Sequence, residues 1–135
     1  MYPQEQAMSS SNELDAKSLK GQRGLTRISR AAGYSIAGLR AAFIGEAAFR
    51  QLLLLNAALI PLAFTMDVSR IERVLLIIVP MMTLIVELLN SAIEAAIDRI
   101  STDLHPLSKQ AKDMGSAAQM LALAVVIVTW ATILI

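Results

Sequence analysis

The sequence contains no cysteine, a single histidine, and only three phenylalanines, two tyrosines and one tryptophan among 135 residues. Without cysteine there are no disulfides, no Cys-ligated zinc and no thiol nucleophile. One histidine excludes a multi-His metal site. So few aromatics leave little for stacking on nucleic-acid bases, and a net charge of +1 gives no basic field to attract them. Charged residues are also scarce, at 17% against about 25% in ordinary soluble domains. Several chemical signatures are missing as well. The segment GYSIAGLR (33–40) has glycines at Walker spacing, but Leu39 stands where lysine belongs, so there is no P-loop. No protein-kinase signature, HExxH or GxSxG occurs.

What is abundant is apolar. Hydrophobic residues make up 56% of the chain and mean hydropathy is +0.58. The 22 residues of 114–135 carry no charge, and as a helix they reach roughly 33 Å, enough for a bilayer core of about 30 Å. Residues 74–97 form a second apolar run, interrupted by Glu87, Asn90, Ser91 and Glu94. Residues 47–66 form a third, with Arg50 and Gln51 near its start. These runs predict an all-α integral membrane protein with three transmembrane helices. A cleaved signal peptide is not expected, because the first long apolar run begins only after Gln51. Basic residues cluster ahead of the first span (Lys17, Lys20, Arg23, Arg27, Arg30, Arg40, Arg50) and recur in 98–113 (Arg99, Lys109, Lys112). The positive-inside rule therefore places the N-terminus and the 98–113 connection in the cytoplasm. The 67–73 loop and the C-terminus then lie outside.

Residues 1–24 are polar and lack an apolar period, so they read as a disordered tail. Residues 25–46 read as a basic amphipathic helix lying along anionic headgroups, with Gly33 and Gly38 as possible breaks. Pro61 and Pro80 fall inside spans, where membrane helices tolerate kinks.

The second span carries the chemistry. Glu87, Asn90, Glu94 and Asp98 are spaced 3, 4 and 4, so on a helix they share about 80° of arc and extend about 16 Å along the axis. Ser91 borders this stripe. A charge at mid-membrane costs about 2.5–3.5 kcal/mol, and intramembrane carboxylates usually mark function. A desolvated Glu87 suits proton acceptance. The competing reading, a polar seam that joins helices, suits one Gln or Ser better than three carboxylates. Toward the cytoplasm, Glu94 and Glu46 are candidate oxygen ligands for magnesium, which takes one or two carboxylates and leaves positions for substrate phosphates. Lys112, which with Asp113 precedes the third span, reads equally as a phosphate contact or a positive-inside anchor. His105, followed by Pro106, reads as a loop residue. Three spans shield such a stripe from lipid poorly, so a homo-oligomer with the second spans near its core is expected.

The string ELLNSAIEAAIDR (87–99) resembles the signature of the prokaryotic diacylglycerol kinases, small trimeric integral membrane lipid kinases. AKDMGSAA (111–118) and RAAGYSIAGLRAAFIGEAAFRQ (30–51) resemble two further blocks of that family. The resemblance covers about residues 25–135 and identifies that stretch as a lipid kinase domain. It implies ATP-dependent phosphorylation of diacylglycerol to phosphatidate at the bacterial inner membrane. It implies that Glu87 is the general base and that Glu46 and Glu94 carry magnesium on ATP. Arg27, Tyr34, His105, Lys112 and Asp113 match positions near the nucleotide. Arg27, Ala31, Ser116 and Trp130 match positions near the lipid, and Asn90 and Asp98 match positions that shape the site. The implied assembly is a homotrimer with sites shared between protomers. Ile36 and Phe43 depart from the pattern, standing where relatives often carry tryptophan. Two other functions fit the polar stripe: an undecaprenol kinase using the same base and metal, and a small proton-coupled transporter.

Overall fold

The computed structural model describes residues 25–100 and 105–135. The expected tail at 1–24 lies outside the described residues. Among the described residues four helices follow in order: α1 (Leu25–Gly45), α2 (Ala47–Thr65), α3 (Arg70–Ile100) and α4 (Pro106–Leu134). No strand occurs among the described residues. The chain divides into two compact units, one ending at Gly38 and the other running from Leu39 to Ile135. In the first unit, α1 passes through Gly33 without a break, and the helix continues to Gly45. The two possible breaks are therefore absent.

In the second unit, α2, α3 and α4 are each long and apolar enough to cross a membrane. Their outer surfaces show it, with Leu54, Ile71, Leu121 and Ile127 all exposed. At 1.5 Å per residue, the 19 residues of α2 span about 28 Å, close to the hydrocarbon thickness. The 31 residues of α3 and the 29 of α4 span about 46 and 43 Å. Both therefore outrun the bilayer core. The surplus falls at the end of α3 and the start of α4, where Glu94, Asp98, Lys109, Lys112 and Asp113 lie.

Helix α3 is central. It packs against α4 and α2, whereas α2 and α4 make no close backbone contact with each other. The gap between them is an apolar groove of about 420 Å³, lined by Leu55 and Leu59 on one side and Leu123, Val126, Ile127 and Trp130 on the other. Where the three helices meet below it, Ala63, Leu76, Val126 and Trp130 form the buried apolar cluster.

Helices α3 and α4 both begin earlier than the apolar runs suggest. The α2–α3 turn is Met66–Ser69 because α3 starts early, on a Ser-x-x-Glu capping box. The Ser69 amide donates to Glu72 Oε2 at 2.7 Å, and the Glu72 amide donates to Ser69 Oγ at 3.3 Å. Arg73 then reaches back to the end of α2, donating from Nε to the Ala63 carbonyl (3.2 Å) and from Nη2 to the Met66 carbonyl (2.9 Å). These are the acceptors a helix end leaves unpaired. On the other side, 98–100 and 106–113, expected in the loop, are helical. His105 caps α4, its Nδ1 accepting from the Leu107 amide at 3.2 Å, and Pro106 occupies the first turn, where no amide donor is needed.

Arg73→Ala removes two hydrogen bonds from partly buried carbonyls. It is expected to destabilise the folded chain by about 1–3 kcal/mol, read as a lower midpoint of thermal unfolding in detergent. An unchanged midpoint would show that water replaces the guanidinium without loss.

Candidate functional site

The site grows out of one face of α3. Leu76, Pro80, Thr83 and Glu87 are its buried residues, spaced 4, 3 and 4, and Asn90 and Glu94 continue the same stripe half-buried. The stripe thus begins apolar and becomes polar along a single helix. Thr83 satisfies its hydroxyl locally, donating to the Pro80 carbonyl at 2.6 Å. Glu87 comes one turn later and is only 4% exposed. Helix α2 supplies a matching buried row of Phe49, Leu52, Asn56 and Ala63. Asn56 donates from Nδ2 to the Leu52 carbonyl at 2.9 Å. Since Ala63 packs with Leu76, antiparallel geometry sets Asn56 level with Thr83 and Leu52 level with Glu87.

Two other carboxylates, Glu46 and Glu94, are near enough to act on Glu87 electrostatically. Their positions have separate local causes. Glu46 sits between α1 and α2 in extended backbone (φ −108°, ψ 114°), with no side-chain capping bond. The break is held by Arg50, whose Nη1 donates to the Phe43 and Ile44 carbonyls (2.9 and 3.1 Å) at the end of α1. Glu94 is oriented along α3, its Oε1 accepting from Asn90 Nδ2 at 3.1 Å. The other amide atom, Asn90 Oδ1, and the neighbouring Ser91 Oγ are buried without a hydrogen-bond partner among the described residues.

The polar ends of α3 and α4 are tied by one ion pair. Lys112 Nζ meets Asp98 Oδ1 at 2.6 Å, across the connection between the two helices. Lys109 and Asp113 pair along α4 at 2.5 Å, both well exposed. Among the described residues no group of three or more His, Cys, Asp and Glu side chains is gathered for a metal. A dedicated protein cage is therefore absent there. The arrangement is a set of carboxylates within electrostatic reach of Glu87, with the Lys112 cation in turn within reach of Glu94.

A profile of the prokaryotic diacylglycerol kinase family matches residues 33–134. The diacylglycerol kinase of Pseudomonas aeruginosa is 69% identical over 116 residues, covering 86% of this chain and 94% of that protein. That of Escherichia coli K12 is 54% identical over 111 residues, covering 82% and 91%. That of Haemophilus influenzae is 44% identical over 111 residues, covering 82% and 94%. The chain belongs to the prokaryotic diacylglycerol kinase family.

For a member of this family, the structure sorts the sequence candidates into groups. It puts Glu46 and Glu94 within electrostatic reach of Glu87, bonds Asn90 to Glu94, and pairs Asp98 with Lys112, which Glu94 also reaches electrostatically. Asp113 is held by Lys109, and Ser116 is exposed on α4 directly after Gly115. His105 stands outside the helix in extended backbone, as a connecting residue, and caps α4. Trp130 is not near Glu87. It lies in the apolar cluster with Leu76, eleven residues and about 16 Å down α3. Arg27, Ala31 and Tyr34 belong to the other compact unit, where their 4 and 3 spacing puts them on one face of α1, all exposed. Sequence reading missed Gly115, whose backbone lies against the Asn90 amide. A glycine inside a helical block was the only signal.

A buried carboxylate with other carboxylates nearby is a cost to folding unless something binds it. Glu87→Leu is therefore expected to raise the thermal midpoint, with a gain of about 1–4 kcal/mol. A lowered midpoint would show that Glu87 is structurally bonded in the folded chain.

Proposed function

We propose that this protein transfers the γ-phosphoryl group of ATP to the hydroxyl of diacylglycerol, giving phosphatidate and ADP. The observation that carries the reading is the buried Glu87 on the central helix, with Glu46 and Glu94 within electrostatic reach. Phosphoryl transfer asks for positioned, charge-compensated phosphates, an in-line hydroxyl and an acceptor for its proton. The diacylglycerol hydroxyl donates its proton to the Glu87 carboxylate. Its oxygen bonds to the γ-phosphorus as the bond to the β-phosphate oxygen breaks, and ADP leaves. Burial of Glu87 keeps bulk water from competing for the phosphoryl group.

The donor set fits magnesium. Glu46 and Glu94, each within electrostatic reach of Glu87, offer hard oxygen ligands, and magnesium needs only one or two carboxylates, completing its shell with phosphate and water. Bound there, magnesium would neutralise charge on the ATP phosphates. Asn90 keeps one Glu94 oxygen engaged and so orients the other. Lys112 holds an oxyanion already, the Asp98 carboxylate, and can exchange it for phosphate. Arg27, Tyr34, His105 and Asp113 complete the nucleotide contacts in this reading. Arg27, Ala31 and Ser116 meet the lipid near its headgroup, and Trp130 on the apolar groove meets acyl chain.

The assembly belongs to the same proposal. The catalytic unit spans 25–135, embedded in the bacterial inner membrane with N-terminus and nucleotide on the cytoplasmic side. It works as a homotrimer. Support comes from Glu94, which a single chain leaves half-exposed, and from the unfilled groove between α2 and α4.

Glu87→Gln is expected to reduce phosphate transfer at least 100-fold, the scale of a lost general base, while the detergent-solubilised oligomer elutes unchanged. Most of the activity surviving would remove Glu87 from the base role. Glu94→Gln is expected to shift the magnesium dependence to higher concentration, and an unmoved titration would argue against ligation.

A further inference from the structure

Glycine in a helix interior costs about 1 kcal/mol relative to alanine, so its presence there asks for a reason. Gly33, Gly38 and Gly45 show none in their surroundings, since a Cβ on any of them would meet nothing within 4 Å. Gly115 is different. It is buried on α4, and a Cβ built on it would overlap the Asn90 side-chain amide, lying 3.0 Å from Asn90 Cγ and closer still to Oδ1. The obstructing atoms belong to a polar side chain whose other end donates to Glu94 Oε1 at 3.1 Å. The two contacts sit at opposite ends of one planar amide. Whatever moves the Oδ1 end moves the Nδ2 end too.

We propose that Gly115 is a positioning residue for the divalent cation. Its missing side chain lets the α4 backbone seat the Asn90 amide, and that amide holds the Glu94 carboxylate in its ligating orientation. The inference rests on Glu94 being a metal ligand, as argued above. It differs from ordinary small-residue helix packing, because a packing role predicts lost stability with no selective effect on metal affinity.

The test measures Mn²⁺ affinity by electron paramagnetic resonance, on the purified full-length oligomer with a non-hydrolysable ATP analogue present. Wild type, Gly115→Ala, Asn90→Ala and the double variant are compared, and the KM for diacylglycerol is recorded where turnover allows. Gly115→Ala is expected to weaken Mn²⁺ binding about tenfold, the scale of losing an outer-shell partner, with the lipid KM unmoved. In the double variant the alanine at 115 occupies room the amide has vacated, so it is expected to bind Mn²⁺ as Asn90→Ala alone does. Gly115→Ala binding like wild type would overturn the proposal. So would Asn90→Ala binding like wild type, or a double variant weaker than Asn90→Ala. The double variant decides the matter even if Gly115→Ala alone does not fold. A wild type that binds no Mn²⁺ would instead bring down the reading of Glu94 as a ligand, and this proposal with it.

Discussion

A carboxylate buried in the middle of an apolar helix bundle is the constraint on which the rest depends. Glu87 is 4% exposed, on the helix that both other spans pack against. An apolar environment penalises its charge, and the nearby Glu46 and Glu94 add like charge. Such an arrangement is retained only where something other than folding requires it. The architecture can be read as the means of keeping that residue in place.

The means are mostly backbone devices at helix ends. Arg73 and the Ser69–Glu72 box close the turn below the apolar cluster, which fixes the register of α2 against α3. Arg50 closes the end of α1 and so leaves Glu46 in the break beside α2. The Asp98–Lys112 pair joins α3 to α4 at the polar end. Between these ties, α3 changes character along one face, from Leu76 and Pro80 to Glu87 and Glu94. One end of the bundle is thereby held by apolar packing. The other carries the polar side chains Glu87, Asn90 and Glu94 and the Asp98–Lys112 pair.

Much of this was legible in the sequence. The three apolar runs gave the three spans, and the 3, 4, 4 spacing of Glu87, Asn90, Glu94 and Asp98 gave the stripe, because helical period alone decides both. The helix ends were less legible. Residues 98–113 look like a loop by polarity, yet Lys109 and Asp113 pair at i,i+4 and His105-Pro106 starts a helix. The 67–73 loop hid a capping box, a signal that can be read from Ser69 and Glu72 alone. Three features depended on which helix lies beside which, and no local pattern carries that. They are the proximity of Glu46 to Glu87, the distance of Trp130 from it, and the seat of Asn90 on Gly115.

Transfer of labelled phosphate from ATP, by the purified oligomer in mixed micelles with magnesium, tests the central claim most directly. Diacylglycerol and undecaprenol are supplied separately. The expected result is labelled phosphatidate, with its formation abolished by chelating the magnesium. Label on undecaprenol alone would contradict the assigned substrate and leave the chemistry standing. No label on either lipid, from a folded oligomer, would contradict the reading of the buried acidic stripe as a phosphoryl-transfer site.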